Sequence, residues 1–254
     1  MAEQENPKKV LFGLVGKNIS YSFSKNYFSE KFKKLELDTH QYVNFDIEKI
    51  EEFPKVVHEF KFCLKGFNVT IPYKQDVFLY LDKVNKTARK IGAVNTIRVT
   101  KKGNLKGYNT DVFGFQKSLE PFLKPHHDKA LILGTGGASK AIAYVFKLLE
   151  IDYLKVSRHP HKKKEIPYTD LTQEILEEYK IIVNCTPLGT FPSVDEKPTI
   201  PYQFLTEEHL LYDLIYNPEV TAFLKEGLRV GAQVKNGFEM LELQAEESWR
   251  IWNK

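Results

Sequence analysis

No apolar run in the sequence approaches the ~18 residues that a membrane-crossing helix needs, so no membrane span is expected. Cysteine is nearly absent. Two occur in 254 residues, Cys63 and Cys185, in no CxxC pattern. So few thiols exclude a disulfide-stapled fold and point to reduced structural thiols in a cytoplasmic setting. The seven histidines show no HExxH or other ligand spacing, and no metal is expected. A strong charge bias is missing too, because 37 Lys and Arg face 33 Asp and Glu for a net +4. That is far from the surplus of a dedicated nucleic-acid binder. The opening MAEQENPKKV has no apolar core, which predicts no secretory leader. Internal repeats and low-complexity blocks are also lacking. What remains is ordinary globular composition, long enough for one large domain or two smaller ones.

The pattern that is present alternates strand and helix. Strands are expected at KKVLFGLVG (Lys8–Gly16), HQYVNFDI and KGFNVT, with a helix over SKNYFSEKFKKLEL. EKIEEFPKVVHEF reads as a helix interrupted near Pro54, and PYKQDVFLYL as a helix with Pro72 near its first turn. AVNTIRV and NLKGYNT read as two strands around a KKGN turn, and DVFGFQKSL as a helix that Asp111 would cap. The stretch 120–129, with two prolines, suits a loop or linker. Beyond it the alternation becomes regular. KALILG, DYLKVSR, IIVNCT, HLLYDLIY and RVGAQVK read as strands. GASKAIAYVFKLLE, LTQEILEEYK, VTAFLKEGL and GFEMLELQAEESWRIW read as helices. Such alternation predicts a parallel sheet covered on both faces.

LILGTGGAS sits between a strand and a helix, where glycines carry chemistry. Gly134 permits a tight turn, and Gly136 and Gly137 let backbone approach a pyrophosphate. Small Ala138 and Ser139 allow close helix–strand packing. The helix start offers N–H groups and positive dipole to phosphates. A dinucleotide is the expected ligand. At the end of the next strand comes VSRHPHKKKEIP. Five of the ten residues from Lys155 to Lys164 are Lys or Arg. An acid there would select NAD through the ribose 2′-hydroxyl. The sequence has Ser157, Arg158 and His159 instead, and a guanidinium fork suits a 2′-phosphate. The basic run is therefore read as the wall of an NADP pocket. Lys162, Lys163 and Lys164 add field or are simply solvated. A nucleic-acid role is the lesser reading, since no aromatics interleave the run.

In order, ISYSFS, NVTIPYK, IGAVNT, GYNTD and GTGGAS resemble the shikimate dehydrogenase family. NCTPLG, YDLIYNP and NGFEMLELQA extend the likeness to the C-terminal helix. The resemblance implies an α/β fold of two domains. One is an N-terminal substrate domain, 1–109, completed by the returning C-terminal helix, 237–254. The other is a Rossmann-type NADP-binding domain, 110–236. It implies reversible NADPH-dependent reduction of 3-dehydroshikimate to shikimate, a step towards chorismate and the aromatic amino acids. The expected form is a cytoplasmic monomer or homodimer with no nucleic-acid or membrane partner.

The resemblance also assigns roles. Lys74 of NVTIPYK and Asp111 of GYNTD are the implied catalytic pair. Ser22 and Ser24 would meet the substrate carboxylate. Thr70, Asn95, Asp111 and Gln244 would meet its hydroxyls, with Tyr216 close by. Thr186 and Gly237 would border the cofactor beside the glycine turn. Independently, a polyhydroxylated carboxylate calls for many polar groups on rigid elements. Ser22, Ser24, Asn68, Thr70, Asn95 and Asn109 are spread over the ends of the first-half strands. The chain departs from the family at Phe23, where Lys is common, and at Ser157 and His159, where NRT reads SRH. Two other readings share the fold: a dehydrogenase that also takes quinate, and a non-catalytic NADP-sensing module. Lys74 and Asp111 argue against the second.

Overall fold

The computed structural model describes residues 9–20 and 22–254. The readings that touch Met1–Lys8, including the leader and the first residue of KKVLFGLVG, lie outside the described residues, as does Tyr21 of ISYSFS. The chain divides into two compact units. One holds the residues up to Thr110 together with Ala245–Lys254, and the other is Asp111–Gln244.

In the first unit, strands β1 (Val10–Gly16), β2 (His40–Asp46), β3 (Leu64–Val69), β4 (Lys83–Val84), β5 (Thr96–Val99) and β6 (Leu105–Tyr108) form one sheet. Its order is β2-β1-β3-β5-β6-β4. The sheet is mixed, not purely parallel as the alternation suggested. β1 runs parallel to β2 and β3, but β5 is antiparallel to both β3 and β6. The KKGN segment is a tight reversal, and a short turn can join only antiparallel strands.

Along β1 the side chains alternate between two cores. Phe12 and Leu14 pack with Phe28 and Phe32 of α1 (Phe23–Lys34) and with Trp252. Leu11 and Val15 pack with Phe53 of α2 (Phe53–Glu59) and Ala88 of α3 (Lys86–Ile91). Period-two alternation with both faces buried is what a sheet between helices requires. The break expected near Pro54 falls one residue before it, where a 3₁₀ segment, Ile50–Glu52, gives way to α2, and Pro54 sits in the first turn of α2, where a missing N–H costs nothing. Helix α3 and strands β4 and β9 (Glu165–Ile166) were not anticipated. Yet α3 carries readable signals: Asn85 caps it by accepting from Thr87 N–H at 2.9 Å, and Gly92 ends it at φ 72°.

The stretch after Pro72 is not an α-helix. It is a series of turns leading to a 3₁₀ segment, Asp76–Tyr80. The Lys74 carbonyl accepts from Val94 N–H at 2.7 Å, a tertiary bond that takes the acceptor an α-helix would need. Val77 packs into the core from this segment.

In the second unit, β7 (Lys129–Leu133), β8 (Asp152–Val156), β9, β10 (Ile181–Asn184), β11 (Leu210–Asp213) and β12 (Gln233–Lys235) form a wholly parallel sheet. Its order is β12-β11-β10-β7-β8-β9. α4 (Asp111–Leu119) and α5 (Gly137–Leu148) bring Phe115 and Phe146 together at 5.7 Å, and Phe115 meets Tyr212 at 5.0 Å. The opposite core holds Leu176 of α6 (Gln173–Glu178) and Phe223 of α7 (Ala222–Arg229). Helix α8 (Phe238–Trp252) contains the division between units, at Gln244 and Ala245. Within the first unit, Gly66 leaves the space that Trp252 fills, and Trp252 Nε1 donates to Ile97 O at 3.0 Å.

Candidate functional site

Counted from β7, the second sheet has the order 3-2-1-4-5-6. Its chain reverses direction between β7 and β10, and ligands bind in the crevice outside the carboxyl ends at such a point. The glycine turn follows β7. Gly134 has φ +107°, and a Cβ there would stand 3.4 Å from Cys185 O and Thr186 Cγ2. The structure thus brings Gly134 beside Thr186. At Gly136, by contrast, a Cβ would meet nothing within 4 Å. That open space over a helix start with no side-chain cap fits a pyrophosphate on the backbone. Gly137 and Ala138 begin α5. Ser139 is fully buried, and its hydroxyl donates to Gly136 O at 2.7 Å.

The basic run connects β8 to β9. Ser157 is buried, and its hydroxyl accepts from His159 N–H at 3.1 Å, which fixes the turn that presents Arg158. Arg158 and His159 are exposed. The charge of Arg158 is felt at Tyr168, whose phenol is raised mainly by burial and eased back by the guanidinium. Burial holds the Lys140 ammonium below its ordinary value, and Lys162 lowers it further. Lys155 is lowered by burial first, with Lys162 and Lys140 acting the same way and Glu165 against them. Like charges gathered around one strand end suit a polyanionic ligand. Lys164 is otherwise occupied: it pairs with Asp152 and lies 4.8 Å from the Tyr153 ring. These residues fit an NADP phosphate set, with Arg158 as the group best able to read the 2′-phosphate.

Behind the crevice lies a buried carboxylate that sequence reading missed. Asp213 accepts from Thr221 Oγ1 at 2.6 Å, Ile215 N–H at 3.0 Å and Asn184 Nδ2 at 3.1 Å. Asn184 Oδ1 in turn accepts from Thr186 N–H and Thr186 Oγ1. Asp213 therefore steadies the loop bordering the glycines. Burial pushes its pKa up to about 6 despite these bonds. The folded value exceeds the unfolded one, so this stabilisation is complete below about pH 4 and is lost as pH rises through 6, about 3 kcal/mol in all. Asp213→Asn should flatten the dependence of stability on pH between about 4 and 6. Urea midpoints at stepped pH check this, and parallel curves for parent and variant would remove the assignment. Nearby, Gly237 has a packing reason of its own: its Cβ would stand 2.1 Å from Leu214 O. Tyr216 is partly exposed, with its ring 6.4 Å from Phe238. Gln244 is buried, and its amide donates to Leu241 O at 2.9 Å. Asp111 is the first residue of α4, not its cap, and is buried.

In the first unit the polar residues gather around the carboxyl ends of β1, β2 and β3. Asp46 accepts from Asn18 and Ile19 N–H at 2.8 and 3.2 Å, and Asn44 Nδ2 donates to Ile19 O at 2.8 Å. These bonds pin the loop that leads into the serines. Ser22 occupies the cap position of α1 but makes no capping bond. Its Oγ is buried without a hydrogen-bond partner among the described residues. A buried hydroxyl with that donor available at a helix N-terminus could serve an anion. Ser24 is also buried and hydrogen-bonds Tyr42. Burial raises the Tyr42 phenol above its usual value, the Ser24 bond opposing, so it stays neutral. Tyr42 OH donates to Asn68 Oδ1 at 2.8 Å. Thr70 and Lys74, both half-buried, follow β3, and Gly16 leaves the room that Thr70 Cγ2 takes. Asn95 is buried, and its Oδ1 accepts from Thr110 N–H at 2.7 Å. Asn109 Nδ2 donates to Ala93 O at 3.0 Å. The structure thus links Ser24, Asn68 and Asn95 in one cluster of the first unit, whereas Asp111, Tyr216 and Gln244 belong to the second. Among the described residues no group of three or more His, Cys, Asp or Glu could hold a metal, and no helix is long and apolar enough to cross a membrane.

Residues 14–97 match a family model described as the shikimate dehydrogenase substrate binding domain. A shikimate dehydrogenase (NADP(+)) of Clostridium botulinum is 39% identical over 94% of this chain and 95% of its own. One of Methanococcus vannielii is 36% identical over 96% of this chain and 92% of its own. A Thermus thermophilus shikimate 5-dehydrogenase solved in complex with NADP(H) and shikimate superposes with a TM-score of 0.84. It is 29% identical and covers 96% of this chain and 93% of its own.

Proposed function

The chain belongs to the shikimate dehydrogenase family, and from that premise we propose that it catalyses the reversible NADPH-dependent reduction of 3-dehydroshikimate to shikimate on the residues described above. The observation that carries the reading is the likeness over nearly the whole chain, with NVTIPYK and GYNTD intact at Lys74 and Asp111. We assign substrate binding to 1–109 with 237–254 and NADP binding to 110–236.

In this reading Ser22 and Ser24 contact the substrate carboxylate, with Ser22 as donor. The buried Ser22 hydroxyl, which has no hydrogen-bond partner among the described residues, supports this, as does the α1 N-terminus beside it. Thr70, Asn95, Asp111, Tyr216 and Gln244 meet the ring oxygens. Asn68 is engaged within the fold and acts by holding its neighbours. A nicotinamide held in the cofactor crevice would supply the hydride chemistry in either direction. Lys74 gives the proton to the carbonyl oxygen in reduction and takes it from the hydroxyl in oxidation, with Asp111 orienting it. An ammonium aimed at that oxygen also stabilises the charge that develops there. Gly134, Gly136, Gly137, Ala138, Ser139, Ser157, Arg158, His159, Thr186 and Gly237 line the cofactor crevice. The reaction takes place in the cytoplasm, in keeping with the two free thiols, Cys63 and Cys185.

The test is formation of reduced nicotinamide by the purified protein with shikimate, quinate or no substrate, using NADP and NAD in turn. Turnover with shikimate and NADP is expected, and silence on that pair would overturn the assignment. Activity on quinate at a similar kcat/KM would favour the broader dehydrogenase. Ser22→Ala and Ser24→Ala should each raise KM for shikimate by an amount worth about 1–3 kcal/mol while leaving NADP affinity near the parent value. If neither change nor the double variant moves KM, the carboxylate lies elsewhere.

A further inference from the structure

Helix α8 presents an apolar face to the first unit through Ala245 and Trp252. One residue on that side breaks the pattern. Ser248 is fully buried, and three polar side chains converge on it. Its Oγ accepts from Asn68 Nδ2 at 3.0 Å and lies 2.8 Å from Thr96 Oγ1 and 3.2 Å from Thr110 Oγ1. Thr96 Oγ1 donates to Asn95 Oδ1 at 3.2 Å, and Asn95 Nδ2 reaches Thr110 Oγ1 at 3.0 Å. On the other side, Asn68 accepts from Tyr42, which bonds Ser24. A continuous buried network thus runs from Ser24, through Tyr42, Asn68 and Ser248, to Thr96, Thr110 and Asn95.

We infer that Ser248 is a positioning residue for the substrate site. It ties the group proposed for the carboxylate, Ser24, to the group proposed for a ring hydroxyl, Asn95, so that both ends of the substrate are held at fixed separation. The inference rests on the shikimate reading given above. Two physical arguments carry it. A serine hydroxyl at zero exposure on an apolar helix face is costly unless it is hydrogen-bonded, so its partners decide why it is there. The three partners named above lead to residues assigned to the substrate. Moreover, Asn95 could rotate its amide about χ2 were it not pinned. The network sets which end of the amide faces the ligand. Thr110 is pinned by the same bonds, and the next residue in the chain is Asp111.

The experiment compares Ser248→Ala, Thr96→Val and Thr96→Ser. Valine keeps the shape of threonine and removes the hydroxyl, whereas serine keeps the hydroxyl. For each variant, KM and kcat with shikimate are measured beside NADP(H) affinity and melting temperature. Ser248→Ala and Thr96→Val should raise KM for shikimate by about 5- to 100-fold, with NADP(H) affinity within about twofold of the parent. Thr96→Ser should return KM close to the parent value. A fall in melting temperature with shikimate KM unchanged would overturn the inference. So would a matching loss in NADP(H) affinity, or equal damage from Thr96→Val and Thr96→Ser. Unchanged NADP(H) affinity also reports that the variant is folded. Absence of shikimate turnover in the parent would instead defeat the underlying reading.

Discussion

Lys74→Ala lowers kcat for shikimate oxidation by about 10²- to 10⁴-fold, the usual contribution of a positioned acid–base group. KM should change far less, because the residues proposed to hold the ring, Ser22, Ser24 and the Asn95 network, are untouched. The expectation rests on where the side chain is anchored. Lys74 lies in a turn just past β3, with its carbonyl fixed by Val94 N–H at 2.7 Å. The backbone under the ammonium is thus held by a tertiary bond, which is how a catalytic group is kept in place before substrate arrives. Lys74→Arg should not restore the rate, since a guanidinium keeps its proton near neutral pH and cannot accept one. Asp111→Asn should lower kcat and raise KM together if the carboxylate serves both lysine and substrate hydroxyl. The double variant should lose less than the product of the two single losses if the pair acts as a unit. Single-turnover hydride transfer with Lys74→Ala at saturating substrate is the decisive measurement. A near-parent rate would take Lys74 out of the mechanism.

That anchoring was not legible from the chain alone, and the reason is instructive. Pro72 followed by Tyr73, Lys74 and Gln75 reads as the start of a helix, because proline suits a first turn. The competing term is non-local: Val94 claims the Lys74 carbonyl from a distant loop. The parallel second sheet was readable except for its two-residue edge strand β9, since its other short apolar strands alternate with helices and Gly134 marks the first turn. The mixed first sheet was less so, because local pattern gives strand positions but not partner direction, except at the KKGN reversal. Site residues followed the same divide. Lys74, Arg158 and the serines sit in motifs whose chemistry is local to the sequence. Ser248, Thr96 and Tyr42 have their effect only through one another, across 152 residues between Thr96 and Ser248 in the case of one bond. A single signal pointed there: a small polar residue four positions after Gln244 and four before Trp252, on the stripe that the helix buries. Asp213 gave no such signal, as an acid at the end of a strand is ordinary until three donors are seen to converge on it.

Arg158→Ala weakens NADP(H) by roughly 10- to 150-fold, the value of a charge-assisted hydrogen bond of about 1.5–3 kcal/mol. NAD(H), which lacks the 2′-phosphate, is expected to bind about as before. Geometry favours this guanidinium over the neighbouring ammonium groups. Ser157 accepts from His159 N–H and so shapes the turn that carries Arg158, whereas Lys164 is tied to Asp152. Lys155 is a strand residue, and both Lys155 and Lys140 are lowered chiefly by burial. A phosphate entering there would relieve their mutual repulsion with Lys162, adding field without reading the ligand's shape. Arg158→Lys should therefore recover part of the loss but not all, since it keeps the charge and gives up the planar fork. Because Arg158 is exposed, the gap between NADP(H) and NAD(H) should also narrow as salt is raised, with the screening length falling from ~10 Å at 0.1 M towards ~3 Å at 1 M. Binding titrations of both cofactors, at low and high salt, check the whole set. If Arg158→Ala weakens both cofactors equally, the residue holds the β8–β9 connection in place and the phosphate is read by another group.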